Sequence, residues 1–295
     1  HPLALPKYHA PLLYAGVIAF GIYGTMARTL TDRLFGDVLS VEGSDRVVPV
    51  HFFANVFGGG ILGFMAGSPL DEESAPLLYT AFATGFCGCM TTFCSWAVEE
   101  SRLLLQDHSP LGQPQTAAIT SIAVTLGAFL LTFVAGYDLG AAFGAALDRR
   151  KDCNDLGAKP QPLRRIPVHV AAYAVLALLA ATLVVLALLL ALDGPSQAAA
   201  TGGGHADYWL AAFFSPPGAA ARFFLARCLN PLYGGRFPLG TFAANFGGTV
   251  ILAAFDASGA AAGEDIGTWA ALSADAFRSG FLSSLTTMST FTAEV

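Results

Sequence analysis

The sequence predicts an all-α polytopic membrane protein built from two inverted four-span repeats joined by a single linker transmembrane helix, with the last span of the second repeat not in the sequence. Three observations lead there: composition, the length of the apolar runs, and an internal repeat of short motifs. Hydrophobic residues make up 54% of the 295 and charged residues 12%, where soluble domains carry about 25% charge. Mean hydropathy is +0.57. The apolar residues fall into separate runs of about 20, the length a helix needs to cross a hydrocarbon core of about 30 Å at 1.5 Å per residue.

Hydropathy and breaker residues divide the chain into eight spans. The first four cover 11–30, 47–67, 76–102 and 116–137. A polar linker at 149–167 with six basic residues follows, and then a fifth span at 168–192 that is almost pure Ala, Leu and Val and is read as carrying no group able to do chemistry. After a Gly-rich loop at 202–204 come spans at 208–229, 238–255 and 268–295. The division is thus 1–148 for the first repeat, 149–204 for linker, connecting helix and loop, and 205–295 for the second repeat, with three spans present. Residues 1–8 lack the charged-then-apolar layout of a cleavable signal and open with prolines, so the chain reads as trimmed or as starting after a flexible tail.

The repeat emerges when motifs rather than hydropathy are aligned. Gly24-Thr-Met-Ala-Arg28 matches Gly218-Ala-Ala-Ala-Arg222, each closing a first span. Asn55-Val-Phe-Gly-Gly matches Asn245-Phe-Gly-Gly in the second spans. In the third spans, Gly85-Phe-Cys-Gly-Cys-Met-Thr-Thr-Phe-Cys-Ser-Trp-Ala-Val-Glu99 matches Gly280-Phe-Leu-Ser-Ser-Leu-Thr-Thr-Met-Ser-Thr-Phe-Thr-Ala-Glu294, with the Gly, Phe, Thr pair and Glu coinciding without a gap. Four spans return the chain to its starting side, so one extra span starts the second unit on the opposite side. Inverted repeats of this kind place functional sites near the midplane at the repeat interface. The basic residues of the linker, with Lys7, Arg227 and Arg236, put the N-terminus on the cytoplasmic side; Arg28, Arg33 and Arg46 in the first loop vote against it locally.

The polar residues inside spans are the candidates for function. A Gly-rich stretch followed by Thr91-Thr92, and again by Thr286-Thr287, marks a place where a helix can unwind. Two such breaks meeting at a two-fold axis would offer a cation an all-oxygen cage from the carbonyls of Gly88, Thr91, Ser283 and Thr286. The alternative is that the hydroxyls bond back to the preceding turn. Asn55 and Asn245 serve either as interhelical glue or as pore donors. Arg28 and Arg222 either draw anions into a vestibule or snorkel to the interface. Phe93, Trp96, Met288 and Phe291 sit at matching positions, and aromatic edges are electropositive enough to meet a dehydrated anion. Ser121 and Thr125 add two hydroxyls one helical turn apart.

Other classes are disfavoured. No basic stripe suggests nucleic acid, and a net charge of −6 lies mostly in connecting segments. His51 and His169 lack a metal-ligand partner at helical spacing, and no nucleophile elbow or phosphate loop occurs. The five cysteines form no CxxC pair and three share one apolar span, so they read as packing residues. Glu99 and Glu294 close the third spans as anchors.

These motifs, with Pro238-Leu-Gly-Thr-Phe-Ala-Ala-Asn-Phe-Gly-Gly248 and Thr-Thr-Phe-x-x-aromatic-x-x-Glu, resemble the Fluc/CrcB family of fluoride channels over nearly the whole chain, in its eukaryotic two-domain exporter branch. The resemblance implies antiparallel four-span units in the lipid bilayer, two pores flanking the axis, and a central structural sodium ion on the third-span carbonyls. A fused chain needs no homodimer, and the plasma membrane is the implied location. The family's paired pore phenylalanines fall on Phe93 and Trp96 in one unit and on Met288 and Phe291 in the other. Crossing them gives one pore with Phe93, Phe291, Asn55 or Asn245 and the Ser121/Thr125 track, and a degenerate one with Trp96 and Met288. The alternative is a proton-coupled fluoride transporter working through Glu99 or Glu294.

Overall fold

The computed structural model describes residues 10–35, 49, 51–70, 75–105, 113–154, 178, 179, 181, 182, 185, 206–234, 236–262 and 268–294. Among them regular structure is helical throughout. The elements are α1 (Ala10–Phe35), α2 (Phe52–Gly67), a composite α3, α4 (Cys94–Leu105), α5 (Gln113–Asn154), α6 (Ala206–Leu229), α7 (Leu239–Ala262), a composite α8, and α9 (Ser289–Glu294). Helix α3 runs through Pro76–Thr80, a π-helical segment Ala81–Cys87 and one turn Gly88–Met90; α8 repeats the plan with Thr268–Ala276, Phe277–Leu282 and Ser283–Leu285.

Among the described residues, four segments are long and apolar enough to cross a membrane: Ala10–Phe35, Pro76–Leu105, Gln115–Leu147 and Leu239–Ser258. The chain is an all-α polytopic membrane protein. Most of the expected fifth span, 168–192, lies outside the described residues. The part within them does carry a working polar group. Thr182 shares a hydrogen bond of 2.7 Å with the Tyr23 hydroxyl, while Leu179 packs with Ile22, Met26, Ala212 and Trp209.

Two boundaries differ from those the sequence suggests. Helix α2 starts at Phe52 instead of 47, because Pro49 and a left-handed His51 (φ 66°) make a turn that cannot be helical. Helix α5 continues from 137 to Asn154, through position 148 and into the basic linker. The added residues include Ala, Leu, Arg and Lys, all good helix formers, and no proline. Its glycines also hold it on α2: a Cβ at Gly136 or Gly140 would lie 2.1 or 2.3 Å from the carbonyl of Gly60 or Phe64. Gly63 and Gly67 of α2 approach the carbonyls of Phe133 and Tyr137 as closely. Such small-residue seams let helix backbones touch in a solvent where burial of apolar surface drives nothing.

Helices α1 and α6 cross antiparallel at the centre. Tyr14 near the start of α1 meets Phe223 late in α6, with ring centroids 4.8 Å apart. Val17 packs with Ala219, and Ile22 with Ala212. Arg33 near the end of α1 pairs with Asp207 at the start of α6 at 2.8 Å. Pro216 and Pro217 lie inside α6. Pro216 cannot donate to the Ala212 carbonyl, and the Ser215 hydroxyl does so instead at 2.9 Å.

Candidate functional site

Each third span breaks where its Thr pair stands. Thr91 (φ −89°, ψ 147°) and Thr286 (φ −102°, ψ 152°) leave the helix for extended backbone, and helix resumes at Cys94 and Ser289. An asparagine from the second span holds each break open. Asn55 accepts from the Thr92 N–H at 2.8 Å and donates to the Thr92 carbonyl at 3.2 Å. Asn245 does the same to Thr287, at 2.8 and 2.9 Å. The Thr92 and Thr287 N–H groups would otherwise close the next turns on Gly88 and Ser283, so those two carbonyls lose their helical donors.

The hydroxyls then cross between repeats. Thr286 accepts from the N–H groups of Phe93 and Cys94 at 3.3 and 3.2 Å, and Thr91 from those of Met288 and Ser289 at the same two distances. Each threonine therefore caps the half-helix that belongs to the other repeat, a contact worth about 1 kcal/mol in ordinary helices. Both hydroxyls also donate to the preceding turn, at Cys87 and Leu282. Of the two sequence-level alternatives for these threonines, the back-bond is present and a trans cap is added to it.

Arg28 and Arg222 are both 1% exposed. Arg28 donates to the carbonyls of Cys89 in its own repeat and Ser279 in the other. Arg222 donates to Ser284 at 2.9 Å in its own repeat and to Thr84 at 2.8 Å in the other. The structure thus places both guanidinium groups inside the protein as clamps across the repeats, rather than at span ends facing a vestibule. The Gly-x-x-x-Arg spacing has a physical reason. A Cβ at Gly24 would lie 2.2 Å from the Phe86 carbonyl, and one at Gly218 2.3 Å from that of Phe281. The glycine lets the first span lie against the third, and its arginine reaches the break one turn on.

Away from this frame the repeats diverge. Trp96, Met288 and Phe129 form one buried cluster, with Phe93, Ile122 and Phe133 packed against it. The Phe93 and Trp96 rings meet edge to face at 5.5 Å. Ser121 and Thr125 are buried on α5, the helix that also brings Ile122 and Phe129 to this cluster, and Ser121 donates across to Glu100 of α4 at 2.6 Å. Phe291 is half-buried on α9, which packs on α2 and the π-helical part of α3.

Two carboxylates occupy polar positions here. Glu294, expected as an anchor, accepts from Thr241 at 2.6 Å and Asn230 at 3.1 Å. Glu100, which the sequence does not single out, is 3% exposed and accepts from Ser121 at 2.6 Å. Its position four residues after Trp96 was the available signal: that spacing puts the two on one helix face. Cys87, Cys89 and Cys94 are free and buried, as packing residues would be.

The profile of the family described as CrcB-like protein, Camphor Resistance (CrcB), matches residues 15–137 and 209–295. Fluoride export protein 1 of Candida albicans is 32% identical over 77% of this chain and 57% of its own length. Fluoride-specific ion channel FluC 2 of Mycobacterium bovis is 35% identical over 31% of this chain and 66% of its own, and its namesake in Rhodococcus jostii 40% identical over 28% and 65%. The chain spans less than two thirds of the length of each. No solved structure matches it. With a single family profile recurring on both sides of the connecting segment and covering more than half of the residues, the chain belongs to the CrcB-like protein family.

Proposed function

We propose that this protein is a fluoride-selective channel that lets fluoride leave passively across the plasma membrane, and that one chain holds both halves of the conducting unit. The observation that carries the proposal is the pair of cross-capped breaks, which sets an interrupted, aromatic-flanked helix from each repeat against the other at the centre of the protein. The antiparallel crossing of α1 and α6 supports inverted repeats, and the basic residues of the linker, with Lys7, Arg227 and Arg236, support a cytoplasmic N-terminus. The similarity to a fluoride export protein and to fluoride-specific ion channels supports the ion.

Phe93 and Phe291 form the conducting side, where ring edges meet a dehydrated anion. Trp96 and Met288 form the side closed to passage. The Asn55 and Asn245 amides keep the backbone beside these rings in its extended shape. A central sodium ion fits the residues present: Gly88 and Ser283 offer carbonyls stripped of their helical donors, and Thr91 and Thr286 add extended-backbone carbonyls beside them. Neutral oxygens without a carboxylate suit a monovalent hard cation better than a divalent one. When bound, that ion supplies a fixed positive charge at the seam.

Fluoride efflux from proteoliposomes, compared with chloride, tests the proposal. The expected result is rapid, voltage-following fluoride flux with little chloride flux; equal flux of both ions would sink selectivity, and flux that requires a proton gradient would favour a coupled transporter. Within the channel, Phe93→Ile with Phe291→Ile should abolish flux while Met288→Ala leaves it. The opposite pattern would reverse the assignment of sides.

A further inference from the structure

Glu100 is a buried acid that the frame does not use, 3% exposed. A carboxylate taken out of water needs a cation or several donors around it. Among the described residues no Lys, Arg or His pairs with it, and Arg102, two positions on, is bonded instead to Asp256 at 2.7 Å. Its partners are neutral donors. Ser121 of α5 donates to Oε1 at 2.6 Å, and the Trp96 indole N–H, one turn back on α4, donates to the same carboxyl group. An indole N–H can only donate, and Phe291, which holds the matching place in the second repeat, has no such group. The acid is equally one-sided. Both third spans carry the repeated Glu99 and Glu294, whereas Glu100 falls opposite Val295. Donor and carboxylate are thus present together in the first repeat and both missing from the matching places of the second.

We propose that the Glu100 carboxylate is the seal of the side read above as closed to passage, a tethered anion that occupies donors which a passing anion would need. The inference rests on the fluoride-channel reading and assigns the closure to one residue. Trp96 and Met288 do not supply it by themselves. They lie with Phe129 in an apolar cluster, and a methionine side chain is unbranched and yields readily to a neighbour. A fixed negative charge does not yield. An anion entering beside Trp96 would have to displace the carboxylate from Ser121 and from the indole, and would then stay next to its charge. At about 5 Å and an effective dielectric of about 20, that repulsion alone lowers the anion's occupancy by roughly a hundredfold or more. Buried ionisable groups inside membrane helices mark function by default, and the function of this one is exclusion.

The decisive readout is a gain of flux, which a merely structural role would not give. Phe291→Ile, outside the Trp96 cluster, lowers the flux of the conducting side and sets the baseline for fluoride efflux from proteoliposomes of the whole chain. On that background Glu100→Gln keeps the size and both hydrogen bonds and removes the charge. Fluoride efflux should rise at least about tenfold above baseline, with chloride efflux unchanged, and Glu100→Asp, which keeps the charge, should stay at baseline. Efflux unmoved by Glu100→Gln in folded protein overturns the seal and leaves the channel standing, the closure then belonging to the packing of Trp96 and Met288. An equal rise for chloride reveals a packing leak and overturns the seal, as does a rise with Glu100→Asp as large as with Glu100→Gln. If Phe291→Ile alone leaves efflux at the parent's level, the Trp96 side already conducts, and the seal falls with the assignment of sides. A folded parent that passes no fluoride overturns the channel reading and the seal together.

Discussion

Thr91 and Thr286 are bonded as reflections of one another, each to the preceding turn of its own span and to two N–H groups of the other repeat. A few residues on, the same alignment sets Phe93 against Met288, Trp96 against Phe291 and Glu100 against Val295. Even the glycine contacts of the frame agree. A Cβ at Gly58 would stand 2.5 Å from Thr91 Cγ2, and one at Gly248 2.4 Å from Thr286 Cγ2. The frame stays symmetric because its threonines and arginines each bond both repeats, so a change in one repeat leaves a buried orphan in the other. The flanking side chains meet across the repeats through apolar packing, as Trp96 does with Met288, which demands volume and not a particular donor or acceptor, and there the repeats have diverged.

Four sets of substitutions sharpen this contrast. Arg28→Leu and Arg222→Leu should be the most damaging. Each strands carbonyls in both repeats, at a cost of roughly 3–5 kcal/mol by analogy with broken buried pairs, and unfolding in detergent should report the same loss for the two. If only one matters, the frame is not symmetric in energy. Asn55→Leu and Asn245→Leu should follow, at roughly 2–4 kcal/mol for two abandoned backbone groups apiece. Their effect on flux should exceed their effect on expression, because the break can relapse into helix. Thr91→Val and Thr286→Val remove the exchanged caps at about 1–2 kcal/mol each; a double-mutant cycle should show them coupled by more than about 0.5 kcal/mol. The smallest effect belongs to Gly247→Ala, which has open space around it, beside Gly248→Ala, which collides with Thr286. Thermal shifts should leave the first within about 0.5 kcal/mol of the parent and lower the second measurably.

The helical class and the paired motifs were legible in the sequence because a hydrocarbon solvent forces long apolar runs, and because contacts made twice leave their residues twice. The breaks were legible through the Thr pairs and glycines. What escaped was partner choice. Asn55 reads equally as pore donor or as staple until the Thr92 backbone is seen within reach, and an arginine near a span end looks like a snorkelling one until its carbonyls are found. Glu100 is masked in the sequence by the repeated Glu99 beside it, and only its helical spacing from Trp96 distinguishes it. The extension of α5 to Asn154 was hidden by charge: Arg149, Arg150 and Lys151 resemble a linker in composition while being good helix formers.

The exchanged caps also impose an order in time. Thr286 follows Phe93, whose N–H it receives, by 193 positions. At synthesis rates of about 5–20 residues per second the ribosome needs roughly 10–40 s to cover that distance. Throughout that interval the half-helix beginning at Cys94 sits in the bilayer with its first amides unclaimed. The first repeat therefore matures only when its twin arrives. Carrying both matches to the family on one chain gives each early half a late half on the same strand, in place of a search through the membrane for one.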